Sequence, residues 1–260
     1  MNFILKHKKL IFLGAVALAL VVATLGTVIH RVTNKPVSES PVAVFLYHHI
    51  TEKTDAFDPL LVTTPQKFRE DMESMLNGGY VSVTIEDIYN NKKYGTPLPE
   101  KSFYVTFDDG YLSNYQYAFP ILCELKIHAS IFLVEDYEKL DNFFSYEQAR
   151  EMEQSGYITV YSHSKDHIYH TSVPKNEAIT AVSKAIRNIE EKVSNHDIIT
   201  FAWPYNSYNS ALAIDLGNTG VKLQFVQSII PTKMTDSFLV LRKSVGLDDV
   251  AIDIADSFYK

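Results

Sequence analysis

Cysteine is nearly absent from this sequence. Its 260 residues include one, Cys123, so no internal disulfide can form, and the count says nothing for or against an oxidising compartment. Charge is scarce as well, at 21% of residues against 46% hydrophobic. That balance excludes a disordered chain and suits one large domain, or two small ones, with a substantial core. There is no internal repeat and no low-complexity tract. Acidic residues are missing from positions 1–35, which carry five basic ones (Lys6, Lys8, Lys9, Arg31 and Lys35). The chain has 24 basic and 31 acidic residues in all, so the remainder holds 19 against 31, a formal charge of −12. A domain this acidic is a poor candidate for binding nucleic acid. It could attract a cationic polymer, although most such surpluses simply keep a domain soluble.

Residues 10–29, "LIFLGAVALALVVATLGTVI", lack charge altogether. About 20 apolar residues in a helix cross a bilayer core of about 30 Å. The expected organisation is a basic cytoplasmic tail at 1–9, a transmembrane anchor at 10–30, and a linker at 31–41 containing "TNKPVSESP". Lysines before the apolar run favour a cytoplasmic N-terminus, which places the domain at 42–260 outside the cell. A cleaved signal peptide, with an apolar region of about 7–15 residues, is the alternative and would release a secreted domain. Length favours the anchor.

Beyond residue 41, strand-like and helix-like segments alternate. "VAVFLYH" (42–48), "YVSVT" (80–84), "SFYVTF" (102–107), "ASIFLV" (129–134), "YITVYS" (157–162), "IITFAW" (198–203), "LQFVQS" (223–228) and "FLVLRKSV" (238–245) read as strands. Thr64-Pro65 opens a helix with Phe68, Met72, Met75 and Leu76 on one face, ended by Gly78-Gly79. Thr84 can cap the helix beginning "IEDIY", another helical pattern surrounds "AFPILCEL", and Ser145 with Gln148 forms a capping-box pattern. Ile179, Val182, Ile186, Ile189 and Val193 recur at helical spacing, and "DDVAIDIADSF" makes a terminal helix. Such alternation implies right-handed βαβ units and a mostly parallel sheet, open or closed into a barrel. In either case function gathers at the carboxyl ends of the strands.

Four polar clusters stand at those ends: "YHHI", "DD" after 102–107, "HSKDH" after 157–162, and "PYNSYN" after 198–203. His163 and His167 are four residues apart and could both reach one ion if the segment turns. With a carboxylate they would make a two-histidine, one-carboxylate set with open positions, suited to zinc and also to non-haem iron. By itself, Asp-Asp-Gly leaving a strand is an ordinary turn signal. A turn explains neither the second carboxylate nor the histidines. A division of labour explains both, with one aspartate on the cation and its neighbour free to take a proton from water.

"TFDDGY", "SHSKDH" and "FAWPYN" resemble the first three motifs of the polysaccharide deacetylases (the NodB-homology domain, carbohydrate esterase family 4). "FLYHHI", "GGYVSVT" and "LVLRKSV" resemble more narrowly the poly-β-1,6-N-acetylglucosamine N-deacetylases of bacterial biofilms, over about residues 42–250. The resemblance implies an α/β fold, a deformed (β/α) barrel, and a metal-dependent N-deacetylase acting on an extracellular N-acetylglucosamine polymer. It implies Asp108 as general base, and Asp109, His163 and His167 as ligands of a divalent metal, zinc first, with cobalt, nickel or iron as alternatives. Tyr205 corresponds to the residue whose backbone N–H helps hold the oxyanion. The family's late leucine-x-histidine motif is missing, because no histidine follows His196. In the biofilm branch its place is taken by a histidine near the N-terminus, which His48 matches. His49 competes for that role, but neighbours on a strand point to opposite faces, so at most one aims at the site.

Ala202 stands where the broad family has an arginine, an absence shared by the biofilm branch. Arg242 could orient the base instead or serve as a structural ion-pair partner. Tyr111, Trp203 and Arg242 make up the expected substrate-binding set, and Tyr161 and Tyr208 are further flat rings near the motifs, where sugar stacking and ordinary packing both remain open. Expected partners are the polymer, the membrane and the machinery that makes or exports the polysaccharide. Alternatives are a deacetylase of peptidoglycan or chitin-like chains, and a non-catalytic, membrane-tethered glycan-binding protein.

Overall fold

Alternation of side chains along each strand decides this architecture. The computed structural model describes residues 41–54, 58–227 and 238–259. Seven strands run parallel: β1 (Ala43–Tyr47), β5 (Ser102–Phe107), β6 (Ala129–Leu133), β7 (Ile158–Ser162), β8 (Thr200–Ala202), β9 (Leu223–Gln227) and β10 (Leu239–Ser244). They follow one another in the order β1-β10-β9-β8-β7-β6-β5, and β5 closes the ring by pairing with β1 from Ala43↔Phe103 to Tyr47↔Phe107. The sheet is therefore the closed one of the two forms that alternation allowed. Its deformation is local: β7 and β8 meet only at Ser162↔Phe201, whereas β6 and β7 pair at five positions.

Two short pieces lie outside the ring. β4 (Val81–Ser82) pairs with Ser102 and Phe103 at the start of β5. β2 (His49–Ile50) and β3 (Val62–Thr63) form a small parallel pair beyond the end of β1 that the sequence patterns did not reveal. Helices α1 (Pro65–Asn77), α2 (Ile85–Tyr94), α3 (Phe119–Leu125), α4 (Tyr146–Gln154), α5 (Lys175–Lys192), α6 (Ser210–Asn218) and α7 (Ala251–Phe258) intervene between the strands or follow them. Their starts follow the expected chemistry. Thr64 accepts from the Lys67 N–H with Pro65 in the first turn, and Thr84–Asp87 and Ser145–Gln148 form reciprocal capping boxes.

Odd and even strand positions serve different cores. Phe45, Tyr47, Val105, Phe107, Ile131 and Val160 pack together with helix residues such as Phe68, Met72 and Met152. The alternate residues Val44, Tyr104, Phe132, Tyr161, Phe225 and Val240 fill the barrel interior. By the same alternation, Leu46, Thr106 and Arg242 continue the interior column upward.

The expected tail (1–9), anchor (10–30) and nearly all of the linker (31–41) lie outside the described residues. Among the described residues, no helix is long and apolar enough to cross a membrane.

A buried ion cluster ties α4 to the end of α5. The His196 Nε2 lies 2.9 Å from Glu153 and its Nδ1 3.0 Å from Glu190, with the ring 4.5 Å from that of Tyr161. Burial lowers the His196 pKa, but hydrogen bonds and charges from the two glutamates outweigh it and raise the value to about 9. A raised folded-state value means that the protonated form stabilises the fold. This contribution, at most about 3 kcal/mol, is full below the unfolded value near 6.5 and fades as pH rises through about 9. Thermal melts should therefore show a Tm that falls between those limits, and His196→Gln should remove most of that fall. A second prediction concerns Gly110, which has φ +84°, and where a Cβ would run into the Leu133 side chain. Gly110→Ala should cost about 1–3 kcal/mol in denaturant unfolding.

Candidate active site

All the strands point one way, so the polar clusters that follow them gather at one rim. Alternation aims His48, Asp108, His163 and Arg242 inward, above the rings of Phe132 and Phe225. Asp109 should by the same rule point outward. It does not, because its backbone is left-handed, with φ +72°. The turn swings its carboxylate back beside the histidines. Ser164, His167, Tyr205 and Asn206 are left-handed too, so five of the six non-glycine residues with positive φ among the described residues lie in these motif loops. Such conformations cost energy and persist where surrounding contacts impose them, commonly at functional sites.

Asp109 Oδ1 lies 3.2 Å from His167 Nε2 and 3.7 Å from His163 Nε2. One ligand atom from each of the three residues falls within 4.8 Å of the other two. His163 Nδ1 donates to the carbonyl oxygen of Ala202 at 2.9 Å, which leaves its Nε2 as the lone-pair nitrogen. Burial lowers the His163 pKa against the pull of Asp108 and Asp109, so the ring is held neutral. Asp109 Oδ1 is buried without a hydrogen-bond partner. Burial alone would raise the Asp109 pKa, yet His167 and His163 hold it below the ordinary carboxylate value. An orphaned carboxylate oxygen facing two imidazole nitrogens, that of His163 presenting its lone pair, fits a divalent cation.

Asp108 faces the other way. Arg242 grips it with two parallel bonds, Nη1 to Oδ1 at 2.5 Å and Nη2 to Oδ2 at 2.7 Å. The guanidinium lies over Phe132 and Phe225, 5.4 and 5.9 Å from the ring centroids. Burial pushes the Asp108 pKa up, but the Arg242 charge, His163 and the hydrogen bonds hold it well below the carboxylate range. Asp108 Oδ2 remains 3.6 Å from His163 Nε2, so the ionised carboxylate borders the triad without joining it.

His48, not His49, turns into this cluster. Burial lowers its pKa, while Asp108 and Asp109 raise it and Arg242 and His167 lower it. His49 lies against Tyr111, with ring centroids 4.7 Å apart, and its Nδ1 meets the Ser113 hydroxyl at 2.8 Å.

Two of the expected substrate-binding residues need correction. Arg242 is 2% exposed and its guanidinium is engaged by Asp108, so it does not line a groove. Trp203 is also 2% exposed, donates its indole N–H to Gln224 at 2.9 Å and packs edge-on against Phe201. Tyr161 is buried in the barrel interior, and Tyr208 packs over Trp203. Tyr111 stays at the rim, stacked on Phe143 at 5.0 Å. Burial and the neighbouring Asp109 raise its pKa, which keeps the hydroxyl protonated. Tyr205 is half exposed, its ring 4.4 Å from that of His167.

Rim residues that the motifs did not single out are Tyr137, Phe143 and Tyr169. Tyr137 packs on Phe143 at 4.6 Å and lies 6.1 Å from His167. Tyr169 stacks on Tyr205 at 4.2 Å and 9°. Tyr169 follows His167 by two positions, a proximity that could have flagged it. The loop carrying Tyr137 and Phe143 offers only its place after a strand.

The chain is similar to known proteins in both sequence and fold. Residues 95–223 match the family model described as polysaccharide deacetylase. A poly-β-1,6-N-acetyl-D-glucosamine N-deacetylase of Escherichia coli is 38% identical over 74 residues, covering 28% of this chain and 11% of that protein. The protein of that name from Staphylococcus epidermidis is 22% identical over 275 residues, covering 94% of each chain. The chain spans 65% and 11% of the length of the first relatives it matches, less than two thirds in both cases. A solved Streptococcus pyogenes deacetylase shares the fold at a TM-score of 0.73 with 17% identity, covering 84% of this chain and 97% of that one. This chain carries a polysaccharide deacetylase domain.

Proposed function

We propose that the domain is a metal-dependent N-deacetylase that removes acetyl groups from N-acetylglucosamine residues of an extracellular polysaccharide, poly-β-1,6-N-acetyl-D-glucosamine of a biofilm matrix. One observation carries the chemistry: an Asp109–His163–His167 ligand set borders a separate, ionised carboxylate, Asp108, that Arg242 holds in place. The choice of polymer is supported by the names of the Escherichia coli and Staphylococcus epidermidis relatives.

Asp109, His163 and His167 would hold the cation, zinc being our first choice. When bound, a divalent ion would polarise the amide carbonyl and lower the pKa of water at the site. Asp108 accepts the proton of the attacking water as the C–O bond forms. Arg242 fixes the direction of that carboxylate and keeps it ionised, the role an arginine at position 202 would otherwise have. The backbone N–H of Tyr205 donates to the developing oxyanion, where one donor contributes roughly 3–4 kcal/mol. His48 gives a proton to the departing nitrogen as the C–N bond breaks, so the products are glucosamine and acetate. Tyr111, Tyr169 and Tyr205 present ring faces to the sugar chain. The proposed setting is the outer face of a membrane, with the domain tethered by residues 10–30 beside the machinery that exports the polymer. Deacetylation there would put positive charge on the polymer.

Zinc content and acetate release, measured together on purified protein, test the assignment. Asp108→Asn should bind zinc normally and lose about 10²–10⁴-fold in turnover, while His163→Ala should lose both. Full zinc retention by His163→Ala would rule out the ligand set. Acetate released faster from peptidoglycan or chitin oligomers than from β-1,6-linked ones would overturn the choice of polymer.

A further inference from the structure

The imidazole proposed as the acid, that of His48, is not aimed through its Nδ1, which is buried and without a hydrogen-bond partner. Its orientation therefore depends on the backbone beneath it, at an awkward place in the fold. The β1–β5 ladder ends at Tyr47↔Phe107, and from His49 onward the chain pairs with β3 instead. His48 sits between two sheets and belongs to neither.

The segment that carries Asp108 and Asp109 closes this gap. The Asp108 N–H donates to the Tyr47 carbonyl at 3.1 Å. Asn114 Nδ2 donates to the His48 carbonyl at 2.7 Å, and the Ile50 N–H donates to Ser113 Oγ at 3.1 Å. Ser113 Oγ also meets His49 Nδ1 at 2.8 Å, which holds the neighbouring ring away from the cluster. Asn114 is fully buried, and its Oδ1 has no hydrogen-bond partner. A buried amide oxygen left unpaired costs stability, which an apolar residue of similar size would avoid. Asn114 also opens a turn of π-helix, Asn114–Ala118, an irregularity found more often at functional sites than elsewhere.

We propose that Asn114 and Ser113 are positioning residues for the deacetylation. They pin the backbone at the His48 carbonyl and at Ile50 just after it, while the Asp108 N–H holds the Tyr47 carbonyl just before it, so that the ring points at the leaving nitrogen. The inference rests on the acid role given to His48 above. In that role His48 transfers its proton to the amine nitrogen while the C–N bond breaks. An aryl acetate, whose phenolate departs without a proton, does not need the step.

The test uses the full chain loaded with zinc and two substrates, a β-1,6-linked N-acetylglucosamine oligomer and 4-nitrophenyl acetate. Asn114→Ala and Ser113→Ala should lower kcat on the oligomer by about 10–100-fold, with KM and zinc content unchanged. Turnover of the aryl ester should stay within about twofold, and Ser113→Thr should recover most of the loss. His48→Ala combined with Asn114→Ala should be no slower on the oligomer than His48→Ala alone, since a pin has nothing to hold once the ring is gone. Equal losses on both substrates, or losses that add in the double variant, would show merely structural residues and overturn the proposal while leaving the acid assignment intact. Full oligomer activity in His48→Ala would remove the acid assignment itself, and the positioning role with it. Should Asn114→Ala fail to fold, the Ser113→Ala and Ser113→Thr pair carries the test alone.

Discussion

The upper part of this barrel depends on one buried ion pair. Asp108 and Arg242 meet above a column of rings in which Phe132 and Phe225 lie directly beneath the guanidinium. Either charge alone at that depth would cost several kcal/mol in lost hydration. Together, and with the Arg242 Nη1 also 3.3 Å from the Thr106 hydroxyl, they form a lid that is polar above and apolar below. The pair also joins β5 to β10, strands that do not neighbour each other but lie either side of β1. An arginine is suited to this position, because a planar cation can stack on the rings and still grip both carboxylate oxygens.

Adjacent aspartates take different surroundings because the backbone changes hand between them. Asp108 follows the strand's alternation into the interior. Asp109 breaks it with φ +72°, and Gly110 continues the turn at φ +84° where no Cβ would fit. One carboxylate is thereby matched to a guanidinium and its neighbour to two imidazoles. Two carboxylates in a shared environment would repel, and one would take up a proton. The separation lets both remain ionised a few ångströms apart.

Much of this arrangement could be read before any coordinates. Apolar segments, helix caps and the rule that parallel strands place their ends together located Asp108, Asp109, His163, His167 and the His48-His49 pair at one rim, and the family resemblance picked His48 from that pair. What alternation cannot supply is which strand faces which across a closed barrel, so the partner of Arg242 stayed open between substrate, base and structural ion pair. Trp203 is a different case, because the pattern contained the answer: Phe201 and Trp203 share one face of β8 and its continuation, and Phe201 packs against α5 and α6 residues such as Val182 and Leu216. Proximity to a motif and strand periodicity point opposite ways for Trp203, and periodicity is the one that holds. The pinning of His48 by Ser113 and Asn114 was hidden for another reason. It joins a side chain to a backbone carbonyl across 66 positions of sequence, and neither serine nor asparagine signals such a contact.

Alanine at position 202 fits the geometry on both of its sides. Its carbonyl receives the His163 Nδ1–H, which sets the lone-pair nitrogen toward Asp109. Its methyl group faces the interior, packed among residues that include Phe132 and Phe225, which already support one guanidinium. A second arginine from β8 would enter that space with like charge and no second buried carboxylate to meet it, since Asp109 is turned toward the histidines. Carrying the cation on β10 instead keeps a second guanidinium out of the place where β8 meets β7, at Ser162↔Phe201, one residue before His163. The small side chain and the relocated arginine are then two parts of one solution: the strand that orients the ligand and the strand that orients the base need not be the same.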